Sequence, residues 1–77
     1  MKDPIRDALI KARAEKRITQ AQAAQQCNIS EGAYKEYETG KHRYPSVVTL
    51  VKFMRFTGLT AEELIDFERM REECLID

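Results

Sequence analysis

The chain has no tryptophan, one histidine, two prolines, three glycines and two cysteines in 77 residues, and its formal net charge is zero. Each scarcity removes a class of function. Cys27 and Cys74 lie far apart without a Cys-x-x-Cys pair, and His42 is the lone histidine. Zinc takes about four convergent ligands, so no metal site is expected. A disulfide is equally unexpected in a reducing cytosol. Cys27 reads instead as a small hydrophobe in an apolar slot of a turn. Without a Ser-His-acid arrangement or a glycine-rich phosphate loop there is no catalytic constellation, so neither an enzyme nor a cofactor is expected. No apolar run approaches the roughly 18 residues of a membrane span. Met1-Lys2-Asp3-Pro4 lacks the apolar segment of a signal peptide. The expectation is a cytoplasmic protein with a single domain over residues 1–77 and one modest core.

What is present is unevenly distributed charge. Residues 1–60 hold 11 Lys and Arg against 6 Asp and Glu, a balance of +5; residues 61–77 hold 2 against 7, a balance of −5. A body with a positive face and an acidic tail pointing away is compatible with a phosphate-bearing partner.

Helical signals run the length of the chain and no strand pattern competes with them. Asp3-Pro4 starts a first helix near residues 4–16, with Ile5, Ala8, Leu9 and Ala12 at helical spacing. A second helix is expected over about Gln20–Gln26 and a third over about Glu31–Glu38, the latter with Tyr34 and Tyr37 as core contacts. Gly40 suits a left-handed cap and Pro45 stops continuation. Ser46 caps a fourth helix whose apolar residues include Val47, Leu50, Val51, Phe53 and Met54, and Gly58 ends it. Thr60 with Glu63 forms a capping box that starts a fifth helix near Ala61. Free of Gly and Pro, that helix is expected to run nearly to Ile76.

The run Thr19-Gln20-Ala21-Gln22-Ala23-Ala24-Gln25-Gln26-Cys27-Asn28-Ile29-Ser30 is the most telling segment. Thr19 and Gln22 have capping-box spacing, Asn28 tolerates the left-handed backbone of a sharp turn, and Ser30 caps the helix that follows. Two helices joined by so short a turn make a helix-turn-helix, whose second helix commonly enters the DNA major groove.

From about Leu9 to Leu64 the chain resembles the phage Cro/C1-type helix-turn-helix domains, also called the xenobiotic-response-element family. Arg13, Thr19-Gln20, Ala24, Asn28-Ile29-Ser30, Tyr37-Glu38-Thr39-Gly40-Lys41, Pro45-Ser46, Thr49-Leu50, Gly58 and Glu63-Leu64 carry the resemblance, with spacing kept and no gaps. It implies an all-α, five-helix lambda-repressor-like domain, here with an extended C-terminal helix over 65–77. It also implies a homodimeric repressor of transcription that binds double-stranded operator DNA. By the same resemblance Arg13 and Glu38 form an interior ion pair. Thr19, Gln20, Thr39, Lys41 and Arg43 face phosphate, Thr19 as a cap first.

Base contacts are implied for Glu31, Gly32, Ala33, Lys35 and Glu36, at the start of the third helix. Here the chain departs from the family, which often places Arg, Gln, Ser or Thr there. A glutamate can accept a hydrogen bond from cytosine N4, and Ala33 can touch a thymine methyl. Two acidic residues on a reading helix also repel phosphate. A protein-interaction module of antitoxin-like or anti-repressor type on the same fold is therefore the second reading. Beyond the family match, Phe67, Met70 and Cys74 fall at i, i+3 and i+7 as one apolar stripe. That stripe either completes a core poor in large side chains or serves as the homodimer interface, and the dimer is the expectation carried forward.

Overall fold

The computed structural model describes residues 4–41 and 44–72, without the side chains of Arg69 and Met70. Among these residues it is all-helical: α1 (Pro4–Lys16), α2 (Gln20–Cys27), α3 (Glu31–Glu38), α4 (Val47–Thr57), α5 (Ala61–Leu64) and α6 (Phe67–Glu72). Four helices start from a hydroxyl cap. Thr19 Oγ1 accepts from Gln22 N–H and Thr60 Oγ1 from Glu63 N–H, both closing reciprocal capping boxes. Ser30 and Ser46 accept from Ala33 and Thr49 N–H.

The helix ends are sharp for an equally local reason. After α2, Asn28 adopts φ 57°, its N–H donates to Gln25 C=O at 3.1 Å, and Ile29 N–H donates to Ala24 C=O at 3.1 Å. After α3, Gly40 adopts φ 81°, its N–H donates to Tyr37 C=O, and Lys41 N–H donates to Glu36 C=O at 2.9 Å. Both are Schellman closures. The same closure ends α1, with Ile18 N–H donating to Arg13 C=O, but Arg17 occupies the left-handed position at φ 56°. A Cβ there costs about 1 kcal/mol.

Ile5, Leu9 and Ala12 of α1 pack with Ala23, Ala24 and Cys27 of α2, Tyr34 of α3, Phe53 and Phe56 of α4, and Leu64 and Ile65 after it. The Tyr37 and Phe53 rings meet edge-on at 4.9 Å between centroids, and Tyr34 and Phe56 at 6.4 Å. With Ala8, Ala12, Ala23 and Ala24 as the small residues that α1 and α2 bring to the core, these aromatics supply much of the apolar volume. Cys27 is the last residue of α2 and is buried, which pushes its thiol up to about 11. It is a packing residue.

Two expectations change. The C-terminal helix is not continuous from Ala61. It stops at Leu64 because Ile65 turns extended (φ −118°, ψ 129°) and is buried beside Leu64, and a new helix begins at Phe67. A β-branched side chain suits that backbone. The frame of five helices is therefore α1–α5, with α6 as a separate extension. Among the described residues the core runs to Ile65, and Phe67, the first residue of the apolar stripe, is 44% exposed. The Met70 side chain and Cys74 lie outside the described residues. In α4, Phe53 and Phe56 are buried and Leu50 and Met54 pack against the core, while Val47, Val48 and Val51 face solvent.

Candidate nucleic-acid interface

The α2–α3 turn is held from three directions. Ile29 packs half-buried against the core, Ser30 caps α3, and Lys52 Nζ of α4 donates to Asn28 C=O at 3.0 Å. Sequence inspection did not single out Lys52; a lysine on α4 carries no mark of a partner in another helix.

Behind α3 lies one polar cluster. Arg13 Nε donates to Glu38 Oε2 at 2.8 Å and Arg13 Nη2 donates to Glu38 Oε1 at 3.0 Å, a bidentate fork. Gln20 Nε2 donates to the same Oε1 at 3.2 Å, and Arg13 Nη1 to Ile18 C=O at 3.4 Å. The Glu38 side chain is 4% exposed and that of Arg13 28%. Burial pushes the Glu38 carboxyl up, but hydrogen bonds from Arg13, Tyr34 and Gln20 outweigh it and hold the carboxyl below its ordinary range. The same carboxylate holds Arg13 above its ordinary range. One carboxylate thus gathers α1, α2 and α3, fixing how α3 stands on the body.

The outward side of α3 presents Glu31, Gly32 and Lys35 exposed, with Ala33 and Glu36 partly covered. Lys35 Nζ sits 3.0 Å from Glu31 Oε2, one turn away, and Lys41 Nζ sits 4.0 Å from Glu36 Oε1. Lys35 on α3 and Lys41 just after it therefore each face a glutamate of α3. Both pairs are exposed, so each contributes roughly 0–1 kcal/mol. Gly32 has ordinary helical backbone, and a Cβ built on it meets nothing within 4 Å. The fold itself has no need of a glycine there.

The flanks are small and polar. Thr19 is exposed; its Oγ1 accepts from Gln22 N–H, a cap that leaves the hydroxyl hydrogen to be donated outward. Gln20 has its amide on Glu38. The Thr39 hydroxyl donates to Glu36 C=O at 3.0 Å, so its hydrogen closes the helix end. Lys41 is exposed, and Arg43 lies outside the described residues.

A model of the helix-turn-helix family matches residues 9–64. The chain belongs to the Cro/C1-type helix-turn-helix family. Nothing among curated proteins and nothing among solved structures matched it. The matched span begins in α1 and ends with α5, so α6 lies outside the family's core and the body that holds α3 lies within it. This helix-turn-helix chain is of the DNA-binding regulator type. No helix among its described residues is long and apolar enough to cross a membrane.

Proposed function

We propose that this helix-turn-helix protein is a sequence-specific transcriptional regulator, acting as a repressor by occupying operator DNA. The first turn of α3 enters the major groove. Glu31, Ala33, Lys35 and Glu36 meet base edges, while Thr19, Gln20, Thr39, Lys41 and Arg43 sit along the phosphates on either side. Glu31 or Glu36 accepts from cytosine N4, and Ala33 meets a thymine methyl. Gln20 serves two ends, its amide on Glu38 within and its remaining polar atoms outward.

The observation that carries this reading is Gly32. It sits exposed in the first turn of α3, where no protein atom lies within 4 Å of its missing side chain. Inside a helix it costs about 1 kcal/mol against alanine. A bare backbone at that place supports close approach of a surface outside the protein, and a groove wall is such a surface. Selection of duplexes from a random pool at low salt tests this: a defined, two-fold related motif is expected, and recovery of no sequence preference contradicts it.

The pairing of Lys35 with Glu31 and Lys41 with Glu36 favours a second reading, an interaction module for another protein. Under it, a pull-down yields one stoichiometric protein partner and no duplex is retained at low salt.

A further inference from the structure

The outward side of α3 carries a matched donor and acceptor. Lys35 Nζ lies 3.0 Å from Glu31 Oε2, one turn apart, and both side chains are about half exposed. Glutamate ahead of lysine at i, i+4 is the favourable order for such a pair. Gly32 shares their face, and nothing in the protein lies within 4 Å of its missing side chain. Lys41 Nζ and Glu36 Oε1 are 4.0 Å apart across the turn after α3, so they do not repeat this spacing. The floor of the major groove has the complementary form. In a G·C pair cytosine N4–H₂ donates to guanine O6, and an N–H···O bond spans about 2.9–3.0 Å. Ion pair and base pair are thus donor–acceptor couples of equal span, and set face to face they close a ring of four hydrogen bonds.

We propose that the Lys35–Glu31 ion pair reads one G·C base pair as a unit, with the ammonium on guanine O6 and N7 and the carboxylate on cytosine N4–H₂. The proposal rests on the DNA-binding reading and adds to it which base pair the start of α3 selects. Reading as a unit answers the difficulty of an acidic residue in the groove. Each ion keeps its partner as water is excluded, so neither is left as an uncompensated charge. The couple also carries no net charge toward the phosphates. Its polarity ranks all four base pairs. G·C with guanine under Lys35 satisfies both ends. In T·A with thymine under Lys35, O4 still accepts and adenine N6–H₂ still donates. There, however, the ammonium meets a methyl group in place of N7, and adenine N7 turns a lone pair toward the carboxylate. The reversed pairs, C·G and A·T, set the ammonium against an amino group and the carboxylate against an acceptor. The order is therefore G·C, then T·A, then the two reversed pairs.

The test is duplex selection from a random pool at low salt with the wild type, Glu31→Ala, Lys35→Ala and the charge swap Glu31→Lys/Lys35→Glu. Competition among the four base pairs at the affected position follows, and thermal melts check that each variant folds. The wild type should favour G·C over T·A by about tenfold and over the reversed pairs by about a hundredfold. Both single variants should lose most of that preference, and at the same base pair. The swap should invert it to C·G while the slope of log K against log salt stays that of the wild type, because no net charge has changed. Single variants that alter two different base pairs overturn the proposal, as does a swap that binds with the original orientation. Should the swap fail to fold, the two single variants decide the matter alone. A motif that none of the variants changes defeats the proposal and leaves the DNA reading standing. A wild type that selects no motif defeats both.

Discussion

Removing the guanidinium from the Arg13–Glu38 pair should do more than weaken the fold: it should reverse the sign of the fold's pH dependence. In the native chain the Glu38 carboxyl is 4% exposed and accepts two bonds from Arg13 at 2.8 and 3.0 Å, plus one from Gln20 at 3.2 Å. Its pKa is held below the ordinary value. A depressed carboxylate contributes stability that is present above its unfolded pKa and lost as pH falls through the folded one. Wild-type stability should therefore rise with pH across the acid range and level off above about pH 5. In Arg13→Met the stem volume is largely kept and the fork is gone. Burial then dominates, and the Glu38 pKa moves above its unfolded value. Stability from that group is full at low pH and is lost as pH rises. The penalty at pH 7 should be about 3–4 kcal/mol, within the range for stranding one partner of a buried pair. For a domain of this size that lowers Tm by roughly 12–30 °C. The penalty should shrink toward pH 4 as the carboxyl takes up a proton. Glu38→Gln leaves Arg13, 28% exposed, able to reach water and still donate to the amide oxygen, and should cost only about 1–2 kcal/mol. Urea melts of both variants from pH 3.5 to 7.5 read all of this. Equal, pH-independent penalties for the two variants would refute the reasoning.

Other expectations follow from single positions. Gly32→Ala should raise stability by about 0.5–1 kcal/mol in a thermal melt. It should also weaken binding to the selected duplex; tighter binding would remove the argument from Gly32. Arg17→Gly should relieve the left-handed strain at φ 56° and stabilise by up to about 1 kcal/mol, with no gain meaning that the Arg17 side chain itself has a role. Glu36→Gln frees Lys41 from its glutamate and removes a charge that repels phosphate. Affinity for duplexes outside the selected motif should rise, and the slope of log K against log salt should steepen by up to roughly 0.9 for each added phosphate contact. Lys41→Ala should weaken binding to all sequences alike, measured by fluorescence anisotropy, without changing their rank order.

The helix limits were legible because their causes are local. A hydroxyl cap, a glycine or asparagine in the left-handed position and a proline each act within a few residues, so Thr19, Asn28, Ser30, Gly40, Ser46, Gly58 and Thr60 could be placed from spacing alone. The Arg13–Glu38 pairing came from family resemblance, since nothing in a separation of 25 residues announces a contact. Arg17 went unread because arginine is a poor marker of a left-handed residue; the closing bonds of α1 hold it there. The break after Leu64 is a tertiary effect, in which burial of Ile65 outweighs a helical sequence free of Gly and Pro. Hydrophobicity likewise gave no direction for α4, where Val47 and Val51 face water and Phe56 faces in. At the candidate interface, the Lys35–Glu31 pair has i,i+4 spacing and was available to inspection. Lys41–Glu36 was not, because the Schellman turn at Gly40 brings the two together.

The central claim is that the exposed turn of α3 and its flanks are the surface that meets DNA. Backbone amide shifts of labelled protein, followed while a selected duplex is titrated in at low salt, test it most directly. Perturbations should concentrate at Thr19–Gln22, Glu31–Glu36 and Thr39–Lys41, and fade with added salt. Shifts confined to α5 and α6, or none at stoichiometric duplex, would contradict it.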